Sequence, residues 1–394
     1  MTLLVTAILV ALALPAGLAS LYLLVLTLLS GEPPPALRSS GRLRFDVIVP
    51  AHDEAVTIEA VVANLRRLDW PADQFRVLVV ADNCNDGTAA LARAAGAEVL
   101  ERHDTQLRGK GHTLEFAFDA SRARGFAYAV VVVDADSVVS PRLLEAFASR
   151  IEAGAKAVQA HYGVANAQDS WRTRLMAIAM ACFHQVRSRA RERLGLSCGL
   201  RGNGWCVTHR LLHQVPYRAY SLAEDIEYGI DLALAGYRVH YADEARVDAA
   251  MVSQEEASRS QRRRWEDGRR QLRRTRLVPL LKAAAGPDGA MRLDLALDLL
   301  MPPLSTVAAN LMLLAVVAAL AGLWRASYLA WLGFVLAGAA ALVAYVLRGW
   351  QLSPVGWRGL ADLARAPSFV LWKLLLMLRA HDSAEWVRTK REQP

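Results

Sequence analysis

Hydrophobic and polar positions divide the chain into three regimes. Residues 1–31 contain no charged side chain, and neither do Leu299–Trp324 or Ala326–Leu347. Each block is as long as the roughly 20 apolar residues that a membrane-crossing helix needs. Between the first two lie about 250 residues of ordinary mixed pattern, enough for one sizeable domain. There, short apolar runs alternate with helical periodicity. The runs at residues 44–50, 75–80, 97–100 and 129–133 predict four strands, the last (Ala129-Val130-Val131-Val132-Val133) the most buried. A helical pattern passes through Val61, Leu65 and Leu68, and the Ala-rich stretch 88–95 predicts another helix. Strands alternating with helices imply an α/β fold with a mostly parallel sheet and helices on both faces.

Ligands of such sheets bind beyond the carboxyl ends of the strands. Acidic residues fall at that place each time: His52-Asp53-Glu54 after the first strand, Asp82 after the second, Asp134-Ala135-Asp136 after the fourth. No GxGxxG follows the first strand, and Gly109-Lys110-Gly111 lacks the rest of a P-loop, so neither nucleotide-binding motif of that type is present.

The apolar blocks predict three spans. A secretory signal would begin with a basic residue and carry a shorter apolar region. No Lys or Arg precedes Arg38, so the first block reads as a retained anchor. Arg38, Arg42 and Arg44 then hold the middle of the chain on the cytoplasmic side. The other two blocks go out and back across the one-charge turn Leu323–Ser327, which leaves domain and tail both cytoplasmic, at the inner membrane. The expected organisation is an anchor at 1–31, a catalytic domain at 42–280, two spans with an interfacial lead-in at 281–348, and an amphipathic tail at 349–394. The run Phe369–Leu378 is too short to span. It reads either as a helix in the headgroup layer or as one packed on the soluble domain.

Composition narrows the class. Apolar residues make up 54% of the 394. With the uneven distribution above, this excludes a disordered chain, a collagen or solenoid pattern, a disulfide-stapled secreted module and a transporter built mostly in lipid. The four cysteines form no CxxC pair and no zinc-finger spacing, so they read as buried, reduced, small apolar residues. Lys+Arg number 46 and Asp+Glu 38, a net charge of +8. The excess is densest from Arg259 to Arg276, with nine arginines. No nucleic-acid module accompanies it. It lies just before a predicted span, so lipid headgroups and a substrate phosphate are the expected partners, and nucleic acid is not.

Four motifs carry candidate chemistry. Asp134-x-Asp136 puts two carboxylates at a strand end, where they can face a hard divalent cation such as Mg²⁺ together with substrate phosphates; a turn with a helix cap would use the same residues. Glu224-Asp225 precedes a helical pattern through Ile226, Ile230 and Leu234. The pair reads either as an N-terminal cap or as a general base able to take the proton of an attacking hydroxyl. Gln261-Arg262-Arg263-Arg264-Trp265 is the sharpest signal: on a helix, 261, 264 and 265 share one face. That face offers a guanidinium for diphosphate oxygens and an indole on which a sugar ring can rest. Arg269, Arg270, Arg273 and Arg274 read instead as a basic face towards lipid. Gly202-Asn203-Gly204, followed by Trp205, is either a plain turn or a loop that lets backbone approach an acceptor.

These pieces occur in one order: Val-Ile-Val-Pro50-Ala-His-Asp53-Glu54, Asp82, Lys110, Asp134-x-Asp136, Gly202-Asn203-Gly204, Glu224-Asp225, then Gln261-x-x-Arg264-Trp265. That order resembles the family 2 glycosyltransferases of the GT-A fold, and most of all their membrane branch of cellulose, hyaluronan and poly-N-acetylglucosamine synthases, over roughly residues 44–275. The resemblance implies inverting transfer from a UDP-sugar, with Mg²⁺ or Mn²⁺ as cofactor. By that resemblance Pro50, Asp53, Glu54, Asp82, Lys110, Asp134, Gln261 and Arg264 belong to the donor site, and Asp134 and Asp136 to the metal. Asp225 would be the base with Glu224 beside it, and Gly202, Asn203, Gly204 and Trp265 would face the acceptor. Ala223 stands where the family usually has Thr. Three spans offer little wall for a polymer channel. The expected acceptor is therefore a lipid or lipid-linked glycan. The alternatives are a processive synthase that works as a homo-oligomer or with a partner membrane protein, and a non-catalytic nucleotide-binding scaffold.

Overall fold

The computed structural model describes residues 2–34, 38–251 and 255–365, without the side chains of 255–263. Their order is α1 (Thr2–Leu29), β1 (Phe45–Ala51), α2 (Ile58–Leu65), β2 (Phe75–Asp82), α3 (Thr88–Ala94), β3 (Glu98–Arg102), α4 (Lys110–Arg124), β4 (Ala129–Val132), β5 (Ser137–Val139), α5 (Leu143–Glu152), β6 (Ala157–Val164), α6 (Trp171–Met180), a π-helical stretch Ala181–Val186, α7 (Arg187–Arg193), β7 (Trp205–Thr208), α8 (His209–Gln214), α9 (Glu224–Leu234), β8 (Val239–Ala249), α10 (Glu255–Ala283), α11 (Gly289–Leu300), α12 (Leu304–Trp324), a 3₁₀ turn Ala326–Leu329, α13 (Ala330–Leu352) and α14 (Gly356–Leu363). The predicted helix at Phe369–Leu378 lies outside the described residues.

One compact unit comprises residues 32–166 and 191–299. Its eight strands form one sheet in the order β3-β2-β1-β4-β7-β6-β8-β5. The first four strands are parallel, as expected, with Phe45 opposite Phe75 and Ala129, and Leu78 opposite Glu98. The sheet is mostly parallel, as expected, and antiparallel pairing enters only beyond β4, through β7 and β5. β7 runs antiparallel to both β4 and β6, β6 and β8 are parallel with a register shift between Ala160 and His161, and β5 is antiparallel to β8.

Side-chain alternation along the strands splits the core in two. Val47, Val49, Val79, Val131 and Val133 point to the face covered by α2, α3 and α5, through Val62, Leu65, Ala92 and Phe147. Ile48, Leu78, Val80, Val130 and Val132 point to the face covered by α4, α8 and α9, through Leu114, Phe118, Leu211 and Tyr228. Period-two alternation of apolar residues on both faces is what a doubly covered sheet requires. Asp46, fully buried in β1, is tolerated because Arg76 grips both its oxygens at 2.9 Å and Ser121 donates to it at 2.5 Å.

The other unit comprises residues 2–31, 167–190 and, among those described, 300–365. It holds three helices long and apolar enough to cross a membrane: Thr2–Leu29, Leu304–Trp324 and Ala326–Leu352. Their seam is built from small residues. Along α1 the buried positions Leu9, Ala13, Ala16, Ala19, Leu23 and Leu26 recur every three to four residues, and Gly17 and Gly338 lie where a side chain would crowd Phe334 and Leu311. Small residues at such contacts let helices pack by van der Waals fit where the surroundings supply no hydrophobic drive. Buried Arg187 is satisfied within this unit by the Tyr345 hydroxyl at 2.8 Å.

Candidate active site

The site is assembled at the carboxyl ends of the strands. Lys110, the first residue of α4, is its centre. Its Nζ lies 2.6 Å from Asp134 Oδ1 and 3.5 Å from Glu224 Oε1, and donates to the Gly202 carbonyl at 3.0 Å. Three stretches remote in sequence thus meet at one ammonium. Gly202 has φ +84°, and a side chain there would begin 3.7 Å from Asp225 Oδ2 and 3.7 Å from the Tyr162 ring. The glycine therefore permits the backbone turn and leaves space in front of Asp225.

Glu224 and Asp225 form the first turn of α9. Ala223 supplies no capping side chain; instead Ser221 N donates to Glu227 Oε2 at 3.0 Å. Burial raises Glu224 to about 7, with Asp225 adding to the rise and Lys110 opposing it. Burial likewise raises Asp225 above the ordinary carboxylate range, against the pull of Lys110, the helix N-terminus and Arg201. The lysine is raised as well, which for a base favours the charged form. Burial alone would lower it, but Asp134, Glu224 and Asp225 outweigh burial and hold it charged. Tyr162 on β6 is kept protonated by burial and by the charges of Asp134, Asp136 and Asp225.

Asp134 and Asp136 are half-buried at the end of β4, and the turn they form leads into strand β5 rather than a helix cap. Asn203 holds that turn from below. Its Oδ1 accepts from Asp134 N at 3.0 Å, and its Nδ2 donates to Ser137 Oγ at 2.7 Å; that hydroxyl in turn lies 3.3 Å from Asp136 Oδ1. Asn203 is fully buried, and its side chain is spent on the turn that carries the acid pair. Gly204 is equally structural: a side chain there would overlap Val247.

At the edge nearer β2 the acids are used differently. Asp82 is buried and bound by Arg102 at 2.7 Å, Thr113 at 2.8 Å and Asn83 at 3.1 Å. Asp53 Oδ1 accepts from Asn85 N at 2.7 Å and Ala55 N donates to Asp86 Oδ2 at 3.1 Å, so the loops after β1 and β2 are tied together, while Glu54 Oε2 accepts from Thr57 at 3.2 Å within its own loop. Pro50, half-buried in β1, pairs in register with Val80. Asp53, Cys84 and Asp86 present three ligand-type atoms within 4.8 Å of one another. Asp86 nevertheless spends its oxygens on Thr88 and on Ala55 N, which makes this loop chemistry.

Gln261, Arg264 and Trp265 lie on α10, as the spacing predicts. The side chain of Gln261 lies outside the described residues; Arg264 is exposed and Trp265 half-buried. One turn on, Gly268 abuts Ala223, where a side chain would begin 3.0 Å from Ala223 Cβ. Arg276 then ties the helix to Glu227 at 3.0 Å and Asp231 at 3.2 Å on α9. The helix bearing Arg264 and Trp265 is thereby locked onto the helix bearing Glu224 and Asp225. Sequence reasoning missed Tyr162, Arg102, Gln159 and Arg201. Gln159 carried a signal: a lone amide inside the run Ala157-Val158-Gln159-Ala160, it is buried and donates to the Asn203 carbonyl at 2.7 Å.

The family model described as "Glycosyltransferase like family 2" matches residues 43–268. The chain is 33% identical over 129 residues to "Glycosyltransferase AglD" of Haloferax volcanii, a match covering 31% of this chain and 20% of the relative. It is 23% identical over 239 residues to "Probable glycosyltransferase YdaM" of Bacillus subtilis (strain 168), covering 57% of this chain and 55% of that one. The chain thus spans about a fifth and about half of the lengths of these relatives. Among solved structures, the mannosyltransferase PcManGT from Pyrobaculum calidifontis, in complex with GDP-Man and Mn²⁺, is similar in fold with a TM-score of 0.52 at 21% identity, covering 88% of this chain and 98% of that one.

Proposed function

The chain belongs to glycosyltransferase family 2, and from that premise we propose that it moves a sugar from a nucleoside diphosphate sugar, a UDP-sugar first, onto a hydroxyl of a lipid or lipid-linked glycan, with inversion, at the cytoplasmic membrane face. The observation that carries this reading is the convergence of Asp134, Glu224 and the Gly202 carbonyl on Lys110, with Asp225 beside Gly202.

The acceptor oxygen attacks the anomeric carbon from the side opposite the diphosphate. The bond from that carbon to the diphosphate oxygen breaks, and its electron pair leaves with the nucleotide. Asp225 takes the hydroxyl proton. A carboxylate raised by burial is a stronger base than an exposed one, and positioned proton transfer contributes about 10²–10⁴-fold. Exposed Arg264 meets the leaving diphosphate with paired hydrogen bonds, and Trp265 offers its ring to the acceptor sugar.

The donor set fits a hard divalent cation. Asp134 and Asp136 are two oxygen ligands at one strand end, and their charge adds to burial in holding Tyr162 protonated. They would hold Mg²⁺ or Mn²⁺, which when bound supplies charge neutralisation to the departing diphosphate. PcManGT, of the same fold, is in complex with GDP-Man and Mn²⁺. The three apolar helices, and α10 with exposed Arg270, Arg273 and Arg274, support an acceptor presented from lipid. Three candidate spans among the described residues favour single transfers or short chains over an exported polymer.

The test is a panel of labelled UDP- and GDP-sugars given to membranes containing the protein, with and without a chelator, followed by mass analysis of the product. The expected outcome is chelator-sensitive release of UDP and a heavier, lipid-extractable product. No release from any donor would overturn the reading. Preference for a GDP-sugar would overturn its donor base, and a long water-soluble polymer its acceptor.

A further inference from the structure

We propose that Asp298 is a positioning residue of the transfer site: one buried carboxylate that ties the Gly202-Asn203-Gly204 loop to the helix bearing Arg264 and Trp265. The inference rests on the transferase reading above and deepens it. Asp298 lies in the last turn of α11 with its side chain 7% exposed. Its Oδ1 is 2.9 Å from Nη2 of Arg191, which is fully buried. Its Oδ2 is 3.3 Å from Nη1 of Arg201, 3% exposed, and 4.0 Å from Nη1 of Arg269. Its backbone carbonyl also accepts from Arg269 Nη2. One turn earlier, Asp294 accepts from Arg191 Nε at 2.7 Å.

Each arginine leads to a different part of the site. Arg201 immediately precedes Gly202, the residue whose carbonyl takes Lys110 and whose missing side chain leaves room for Asp225. Its own backbone N–H is fixed by Gln159 Oε1 at 2.8 Å, and its Nε by the Cys198 carbonyl at 3.0 Å. Arg269 lies four residues after Trp265 on α10, hence on the same side of that helix. Beside it, Gly268 meets Ala223, the residue before Glu224. Asp298 therefore holds both the loop beneath the base and the helix beside it. Burying several charges is costly, and such a cluster is weak evidence for stability alone. What it supplies is a fixed geometry, since each guanidinium can satisfy the carboxylate in only a few poses. Transfer needs that precision: a displacement of about 1 Å costs on the order of 10² in rate.

The test compares Asp298→Asn with Asp294→Asn, which removes a buried carboxylate from the same helix, and with Arg269→Gln, which cuts only the α10 leg and keeps the test decisive if Asp298→Asn does not fold. Full-length protein in membranes is assayed for transfer, and amide exchange is followed over 198–204 and 264–272. Asp298→Asn and Arg269→Gln are expected to lower kcat by about tenfold to a hundredfold with donor KM within about threefold, while Asp294→Asn keeps kcat within about threefold. Exchange should rise in both segments for Asp298→Asn, and in 264–272 for Arg269→Gln. Equal loss of kcat in all three variants, or loss of melting temperature with kcat intact, would overturn the role. If the wild type releases no nucleotide, the transferase reading fails separately. Exchange then decides the coupling, and faster exchange confined to α11 would refute it.

Discussion

The acids at the two ends of the site are held in opposite ways. On the β2 side, each carboxylate has its own protein partners. Asp82 is met by Arg102 and Thr113, and Asp86, though burial works against it, is kept below the ordinary carboxylate range by hydrogen bonds from Thr88 and Ala55. On the α9 side, Glu224, Asp225 and Asp134 crowd around one lysine, and both α9 acids are raised. Carboxylates already satisfied by the protein's own donors serve as scaffold. Carboxylates left short of cations hold protons readily and can move them. That contrast supports the proposal that proton chemistry lies at Asp225, with Asp82 as scaffold at the other end.

The largest expected effect tests the proton-moving end. Asp225→Asn keeps the shape and removes the base. Transfer should fall by about 10³-fold or more, with donor binding by calorimetry unchanged within about threefold. Retention of a tenth of the activity would place the base elsewhere and dissolve the contrast.

The next effect tests the scaffold end. Arg102→Met leaves Asp82 buried without its guanidinium, and breaking a buried pair on one side costs about 3–5 kcal/mol. The expected readout is a large fall in melting temperature or in the denaturation midpoint, with kcat of the folded fraction nearly unchanged. The same loss of stability from Asp82→Asn would show that the pair acts as one unit. A selective loss of donor affinity in Asp82→Asn would instead return Asp82 to the donor.

How much of this was legible in the sequence follows the same divide. β1, β2 and β4 are parallel strands, β4 wholly and the other two largely buried, and such strands read as nearly unbroken apolar runs. The acids after them were therefore found at their correct ends. β8 carries Asp243, Glu244, Arg246 and Asp248 among its buried residues, and that mixture hides a strand. Without β6 to β8 the mixed half of the sheet was invisible, and with it Tyr162. The Glu224-Asp225 turn and the α10 helix were legible because spacing alone puts their residues on one face. The partners of the acids were not. Arg102, Arg201 and Asp298 act across long separations, and no local pattern announces which guanidinium will meet which carboxylate.

A third, smaller effect sharpens the α9 side. Lys110 is the cation that opposes the rise of both acids, so Lys110→Met should raise them further. Losing one electrostatic contact of this kind costs about 10²-fold in kcat. The acid limb of the pH–rate profile should also move to higher pH, because the base stays protonated longer. A limb that stays in place would mean that Lys110 does not face the titrating group.

The smallest effect is in stability. Glu224 is raised to about 7 in the folded chain, and Asp225 is raised as well. An acid raised by folding binds its proton more tightly in the folded than in the unfolded chain. Its contribution is therefore most favourable when protonated, and it weakens as pH rises from the ordinary carboxylate range through the raised value. The melting temperature should fall by a few degrees between about pH 5 and about pH 8, and the slope should steepen in Lys110→Met and flatten in Glu224→Gln. A melting temperature flat in both wild type and Lys110→Met would mean that the α9 carboxylates are as well satisfied as Asp82, and the two ends of the site would then differ in position only.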